Sequence, residues 1–574
     1  MRPYRLRLVF AAVALSACAQ ATATPPATPR PVEPAQPTQP PPTQPAQPPA
    51  ATPQPPRPAE PTSMPDEAPE RWWLLDAERD GVFGASVDRA YSELLAGRQP
   101  RRTVTVAIID SGVDVEHEDL KANLWQNPRD RRDGRDDDGN GYVDDVYGWN
   151  FIGGKDGKHV KEDTYEVTRL YATCRTRLAS DSATLPAPQQ AEFGKCRKIE
   201  AAYREKRAES EEMLPQIRNM DMAVSRFVDI LKQELRTDSL TRDRVAALTP
   251  VRNEVLQAQQ VYLQLASNNI TPEMIKEERE RLEGLMKFGL NPDFDPRPIV
   301  GDNYRNISER VYGNGDVEGP DASHGTGVAG IIGAQRGNGV GVDGIAPAVR
   351  LMVVRAVPDG DERDKDVANA IRYAVDNGAN IINMSFGKGF SPEKAAVDAA
   401  VQYATEKGVL LVHAAGNDGK DLAAEENYPN RTFLSGGTSQ LWIEVGASSW
   451  QGANHLAADF SNYGRAQVDL FAPGHDVLST APGNDYEAAS GTSFAAPVVS
   501  GVAALIMAYH PDLTASDVRR ILLESSTKLG DRMVARPGEE NNTIRFGDLS
   551  VTGGIVNAYA ALKLAAERAP RSDR

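Results

Sequence analysis

The residues best suited to chemistry in this chain are a serine, a histidine and an aspartate, each at the junction between two kinds of segment. Ser493 stands in Ala489-Ser490-Gly491-Thr492-Ser493-Phe494-Ala495-Ala496-Pro497, and Val498 to Ile506 continue it as a run apolar on nearly every side. Such a run predicts a helix buried all round. A serine at its positive N-terminus would be a nucleophile; in the plainer reading it caps a core helix. His324 opens His324-Gly325-Thr326-Gly327-Val328-Ala329-Gly330, whose small residues suit a helix lying close against a sheet. It could face a cleft as a general base or be satisfied at a helix start. Asp110 closes Thr103-Val104-Thr105-Val106-Ala107-Ile108-Ile109, a β-branched run that predicts a buried, parallel strand. The C-terminal ends of such strands are where ligands bind in open α/β sheets, although Asp110-Ser111-Gly112 also reads as a capped turn. Asn417, in Ala414-Ala415-Gly416-Asn417-Asp418-Gly419, brings a side-chain N–H donor to the same edge. It would stabilise a tetrahedral oxyanion or else form an Asn-Asp-Gly turn. His413, ending the apolar strand Val409–Val412, reads as a core histidine.

The elements that must position these groups alternate. Arg350–Ala356 and Asn380–Met384 read as strands, Lys365–Asn377 as the helix between them, then helix 392–406 and strands at 409–413 and 441–446. That rhythm implies a parallel sheet covered on both faces. Ser385, Phe386 and Gly387 end one strand and could offer backbone to an extended peptide.

The order Asp110, His324, Ser493, together with Asp110-Ser111-Gly112, His324-Gly325-Thr326-Gly327, Ala415-Gly416-Asn417 and Gly491-Thr492-Ser493-Phe494-Ala495-Ala496-Pro497, resembles the subtilisin-like serine proteases, or subtilases. The resemblance covers about 100–154 and 300–528. It implies an α/β, three-layer subtilisin-like fold with a mostly parallel sheet, here with an all-α insertion between the catalytic Asp and His. It implies that Ser493 attacks the scissile carbonyl, His324 moves the proton and Asp110 holds the imidazole tautomer. Asn417 and the Ser493 N–H would line the oxyanion hole, Ser385 to Gly387 would pair with substrate, and Ala414, Ala415 and Gly416 would form the S1 wall. No acidic pocket for basic side chains is evident. Gly327 replaces the second His that is frequent in the family, a change that leaves the chemistry untouched. No cofactor is required for this chemistry.

The remaining segments set the context. Arg2, Arg5 and Arg7 precede a short apolar stretch, Leu8 to Ala17, and Leu15-Ser16-Ala17-Cys18 resembles a bacterial lipobox with Cys18 as the lipidated residue. Ala19 in place of Asp leans toward the outer membrane. The expected organisation is a lipoprotein-type signal peptide at 1–18, a Pro-rich linker at 19–66, a catalytic domain at 67–154 and 297–568, a helical insertion at 155–296 and a frayed tail at 569–574. Only about 67–100 would be left for a folding propeptide, so no separate inhibitory prodomain is expected. Asp136, Asp138 and Asn140 match the first half of an EF-hand loop, with Asp144 or Asp145 needed to close a structural Ca²⁺ site; Tyr147 occupies the twelfth position, so no EF-hand is formed. The plain alternative is a solvated acidic turn. In the insertion, Val224, Phe227, Val228, Leu231 and Leu235 form a helical stripe, and Thr271-Pro272 reads as a helix start. The insertion is expected to gate the cleft or to bind a partner protein. Cys174 and Cys196 either pair or stay free. A formal charge of −16 argues against a nucleic-acid partner; protein or peptide substrates and a membrane reached through the lipid anchor are expected instead. An inactive binding protein on the same fold and a peptide ligase using the same acyl-enzyme are the competing readings.

Overall fold

The computed structural model describes residues 68–179, 186–268 and 270–569. Cys18, the signal stretch 1–18, the linker 19–66 and residues 570–574 of the tail lie outside the described residues.

In chain order the strands are β1 Val104–Asp110, β2 Gly148–Asn150, β3 Val349–Arg355, β4 Ile381–Met384, β5 Leu410–Ala414, β6 Trp442–Ser448, β7 Leu470–Pro473, β8 Val477–Ala481, β9 Asp485–Ala489, β10 Thr527–Lys528, β11 Met533–Arg536, β12 Glu539–Arg545 and β13 Gly554–Ile555. The helices are α1 Val87–Glu93, α2 Glu166–Leu178, α3 Ala187–Leu235, α4 Arg242–Ala246, α5 Asn253–Ser267, α6 Pro272–Gly284, α7 Ser323–Gly333, α8 Asp364–Asp376, α9 Lys394–Glu406, α10 Thr492–Tyr509, α11 Ala515–Ser525 and α12 Ala558–Arg568.

Nine strands form one sheet in the order β10-β13-β7-β6-β5-β4-β1-β3-β2. All pairings in it are parallel except β10 with β13. β1 is an interior strand, with Val106 opposite Leu351 of β3 and Ile381 of β4. β5 and β6 are buried along their whole length, which is why the apolar residues of β5 run consecutively rather than alternating. Helices α7 and α10 cover one face, through residues such as Val328, Ile331, Val498 and Val502. Helices α8 and α9 cover the other, through Val367, Ile371, Val397 and Val401. The three layers expected of an α/β fold follow. Every residue of α10 is buried; it is apolar enough to cross a membrane, but here it is the core helix. Trp72, Trp73 and Leu74 of the lead-in are packed into the same face.

The last helix starts at Ala558, where the Asn557 side chain accepts the Ala560 N–H, and Gly554–Ile555 is drawn into the sheet as β13. Helix α11 begins under a reciprocal cap between Thr514 and Asp517.

The insertion contains α2 to α6. The described residues divide into two compact units, one within 68–216 and 280–569 and the other within 217–279. Helix α3 runs through the division, with Pro215 inside it. In the first unit, Val167, Tyr203 and Leu290 form a small core with Tyr171 stacked on Tyr203, and Cys174 is disulfide-bonded to Cys196. In the second, Leu231, Val245 and Ala258 are buried with Phe227 and Leu235 against them, so much of the predicted stripe is core. Helix α6 starts at Pro272, and Thr271 Oγ1 accepts the Met274 N–H.

Candidate active site

Asp110 is the last residue of β1, and only 1% of it is exposed. Its Oδ1 accepts the Ser111 N–H at 2.8 Å and His324 Nδ1–H at 2.7 Å. The carboxylate acceptor assigns the proton to Nδ1 and leaves the Nε2 lone pair for chemistry. Two chain features permit this approach. His324 is the second residue of α7, and a Cβ on Gly325 would stand 2.1 Å from the Gly112 carbonyl oxygen, so only glycine lets the helix start sit on the loop after β1. Burial pushes the His324 imidazole down, but the charge and hydrogen bond of Asp110, with Asp321 behind them, outweigh it and hold the ring above its ordinary pKa.

Ser493 is the second residue of α10 and is 4% exposed. Its neighbour Phe494 meets the His324 ring edge-on, with centroids 5.4 Å apart. A Cβ on Gly327 would fall 2.9 Å from that phenyl ring, so the Gly in place of a second His leaves room for Phe494. Neither Ser493 Oγ nor His324 Nε2 has a hydrogen-bond partner among the described residues. Contacts of this kind often tighten only when substrate binds.

Asn417 follows β5. Its Oδ1 accepts both the Thr492 N–H, at 2.8 Å, and the Thr492 hydroxyl, at 3.0 Å. A backbone N–H can only donate, so the amide orientation is determined, and Nδ2–H₂ is left without a protein partner among the described residues. Thr492 in turn accepts the Gly416 N–H through Oγ1 at 3.0 Å.

The two expected wall segments, Ser385 to Gly387 and Ala414 to Gly416, are held by a residue that sequence reasoning missed. Asn427 Nδ2 donates to the carbonyls of Ala414 and Ala415 at 3.2 and 3.1 Å. A Cβ on Gly387 would lie 2.5 Å from Asn427 Oδ1. The backbone N–H groups of Phe386 and Gly387 have no partner among the described residues, which leaves them free for an added strand. Lys388, next along, is 1% exposed at its side chain and pairs with Glu166 at 2.9 Å and Asp364 at 2.8 Å. Glu166 is the first residue of α2, so the root of the insertion touches the residue that follows the wall. Burial raises the Glu166 carboxyl, but Lys388 and Arg169 overcome it and bring its pKa to about 2. His413 is fully buried, with Nδ1 2.9 Å from Glu444 Oε1, as a core histidine should be.

The four residues expected to hold calcium do not converge. Asp136 turns back onto the N–H groups of Gly139, Asn140 and Gly141 at 2.7, 3.1 and 2.8 Å. Asp144 accepts the N–H groups of Asp133 and Gly134 at 2.9 and 3.0 Å. Asp138 faces Asn127 and Arg129, while Asn140 donates to Asp145. The turn's own N–H groups are bonded to oxygens of Asp136 and Asp144 that a cation would also use. No group of three or more His, Cys, Asp or Glu among the described residues is placed to hold a metal ion. A cavity of about 930 Å³ lies beside this turn, lined by Trp149, Val311 and Glu318 among others; Ser493 is not among its lining residues.

The model of the subtilase family matches residues 101–538, most of the chain. The chain belongs to the subtilase family. The subtilase is 38% identical over 241 residues to alkaline elastase YaB of Bacillus sp. (strain YaB), covering 42% of this chain and 55% of that one. It is 36% identical over 242 residues to subtilisin BL of Lederbergia lenta, covering 42% and 77%. The thermophilic serine proteinase of Bacillus sp. (strain AK1) is 37% identical over 217 residues, covering 38% and 48%. The subtilase thus spans about half the length of the first of these relatives. Among solved structures, a cold-adapted subtilisin-like serine proteinase is 29% identical, covers 43% of this chain and 78% of its own, and has a TM-score of 0.33.

Proposed function

We propose that this subtilase is a serine endopeptidase that hydrolyses peptide bonds through an acyl-enzyme. The observation that carries the reading is the 2.7 Å hydrogen bond from His324 Nδ1–H to buried Asp110. It leaves Nε2 as a base on the ring that abuts Phe494. In this reading Ser493 Oγ attacks the scissile carbonyl carbon and its proton passes to Nε2. Asp110 keeps the imidazolium oriented and stabilised. The carbonyl oxygen, now negative, is met by Asn417 Nδ2–H and the Ser493 N–H. Nε2–H then protonates the departing amine. Water repeats the sequence, and the acid product leaves Ser493 free. The substrate would lie against Phe386 and Gly387, whose N–H groups are unpaired.

Export and a Cys18 lipid anchor in the cell envelope belong to the same proposal. The Cys174–Cys196 bond supports it, since such bonds persist in oxidising compartments. Calcium is kept out of the mechanism: the turn is expected to melt at the same temperature with EDTA as without, and a fall in Tm reversed by Ca²⁺ would overturn that.

The test is casein hydrolysis and labelling by a fluorophosphonate probe, with Ser493→Ala alongside. Cleavage and labelling are expected in the unaltered chain and absent from the variant. A folded chain that is inert to both would favour a binding protein. Peptide joining in place of hydrolysis would favour a ligase.

A further inference from the structure

The carbonyl of Ser493 has lost its ordinary helical partner. In an α-helix it would accept the N–H of the residue four places on, but that residue is Pro497, which has no N–H and whose ring crowds that carbonyl. The hydroxyl of Ser385 fills the gap, donating to the Ser493 oxygen at 2.7 Å. Behind it, Asn383 Nδ2 donates to Ser385 Oγ at 2.9 Å, and Ser500 Oγ donates to Asn383 Oδ1 at 2.8 Å. A carbonyl only accepts, so every proton in this relay has one direction. Asn383 and Ser500 are fully buried and Ser385 is 5% exposed. The relay leaves α10 at Ser500, crosses β4 through Asn383, and returns to α10 two turns earlier at Ser493.

We infer that the Ser385 side chain, backed by Asn383 and Ser500, is a positioning device for Ser493. Resting on the protease reading above, the inference adds a second role to a wall residue. Ser385 directly precedes the unpaired N–H groups of Phe386 and Gly387, so the segment that would receive the peptide also holds the nucleophile's own carbonyl. The peptide plane that starts at that carbonyl orients the first turn of α10, and with it the Ser493 hydroxyl relative to His324. A buried carbonyl with no donor would shift to find one, and small misplacements of a reacting group are costly in rate.

The proline makes the inference testable by rescue. Pro497→Ala supplies the missing N–H within the helix, so it should compensate for the loss of the Ser385 hydroxyl. In the full chain, Ser385→Ala is expected to slow fluorophosphonate labelling, in which a Ser493 Oγ–P bond forms, fluoride leaves and the proton passes to His324, by about tenfold. Turnover of a peptide amide should fall in kcat by a similar factor, with KM within about twofold and the pH midpoint unmoved, because the backbone of the wall and the Asp110–His324 pair stay intact. Ser385→Ala with Pro497→Ala should return to within about threefold of the unaltered chain. Should Ser385→Ala fail to fold, Ser500→Ala reads the same relay from its far end and should lower labelling in the same direction. No labelling of the unaltered chain would overturn the protease reading together with this inference. Normal labelling in Ser385→Ala, or a double variant no faster than Ser385→Ala at equal Tm, would overturn the relay alone.

Discussion

Asn417 has two ends with separate tasks, and two substitutions pull them apart. Its Oδ1 holds the Thr492 N–H and hydroxyl, and on the protease reading its Nδ2 would meet the oxyanion. Asn417→Asp keeps the shape and both bonds to Thr492 but replaces the donor with an oxygen. Asn417→Ala removes donor and acceptor together. Loss of one oxyanion donor lowers kcat by about 10²–10³, or roughly 3–4 kcal/mol, a figure known from subtilisin, a member of the same family. The Asp variant also sets a carboxylate beside the oxyanion. Two unit charges about 4 Å apart at an effective dielectric of about 20 repel by up to about 4 kcal/mol, so a further loss of at least about tenfold is expected. The stability order is the reverse. Asn417→Ala strands the Thr492 N–H at a cost of about 1–3 kcal/mol, whereas Asn417→Asp should melt close to the parent. The assay is kcat and KM on a chromogenic peptide amide, with a thermal melt of each protein. The expected order is Asn, then Ala, then Asp in kcat, and Asn with Asp above Ala in Tm, with KM nearly constant. An Asp variant as active as the Ala variant would refute the reasoning.

Three other outcomes follow from charges and cross-links. Catalysis needs neutral His324, which Asp110 holds above the ordinary value of 6.5, so kcat/KM should rise with pH through a midpoint above that value. Asp110→Asn removes the two larger raising influences and leaves only Asp321 against burial, which lowers the pKa; the midpoint should move down while activity falls by about 10⁴, and a limb that stays in place would contradict this. Glu362 is 2% exposed with Oε1 unpartnered, and burial, only partly offset by Lys388, pushes its carboxyl from 4.5 up to about 8. The folded chain keeps a proton that the unfolded chain releases, so stability falls as pH climbs from about 4.5 to about 8 and levels beyond. Glu362→Gln should remove that slope and gain up to about 5 kcal/mol at pH 9 relative to the parent; parallel Tm–pH curves would count against it. Replacing Cys174 and Cys196 by Ser opens a link between positions 22 residues apart and should cost about 3 kcal/mol in a urea titration, with no loss in the parent unless reductant is added.

Much of the site was legible because its parts sit at the ends of regular elements. Asp110 closes a strand whose apolar run is visible in the sequence, and Asn417 follows another. His324 begins a helix marked by small residues. What stayed hidden are side chains that act across the fold. Asn427 ties the two walls together from a loop whose sequence reads only as polar. Lys388 meets Glu166 222 positions away, and Ser500 meets Asn383 117 away; nothing local in either segment signals its partner. The acidic turn is open to two readings for the opposite reason. Alternating oxygens suit a cation, but they equally suit a glycine-rich backbone folding back on its own carboxylates, and Asp136 and Asp144 do the latter.

The Glu166–Lys388 contact determines where this chain can be cut without confusion. An excision from 160 to 290 would strip a buried ammonium of one of its two carboxylates, and the resulting inactivity would report on a damaged wall rather than on access to it. Trimming Ile217–Arg279 instead removes a module with its own apolar centre and leaves that ion pair standing. Only the shorter surgery can tell whether the helical insertion meters what reaches Ser493.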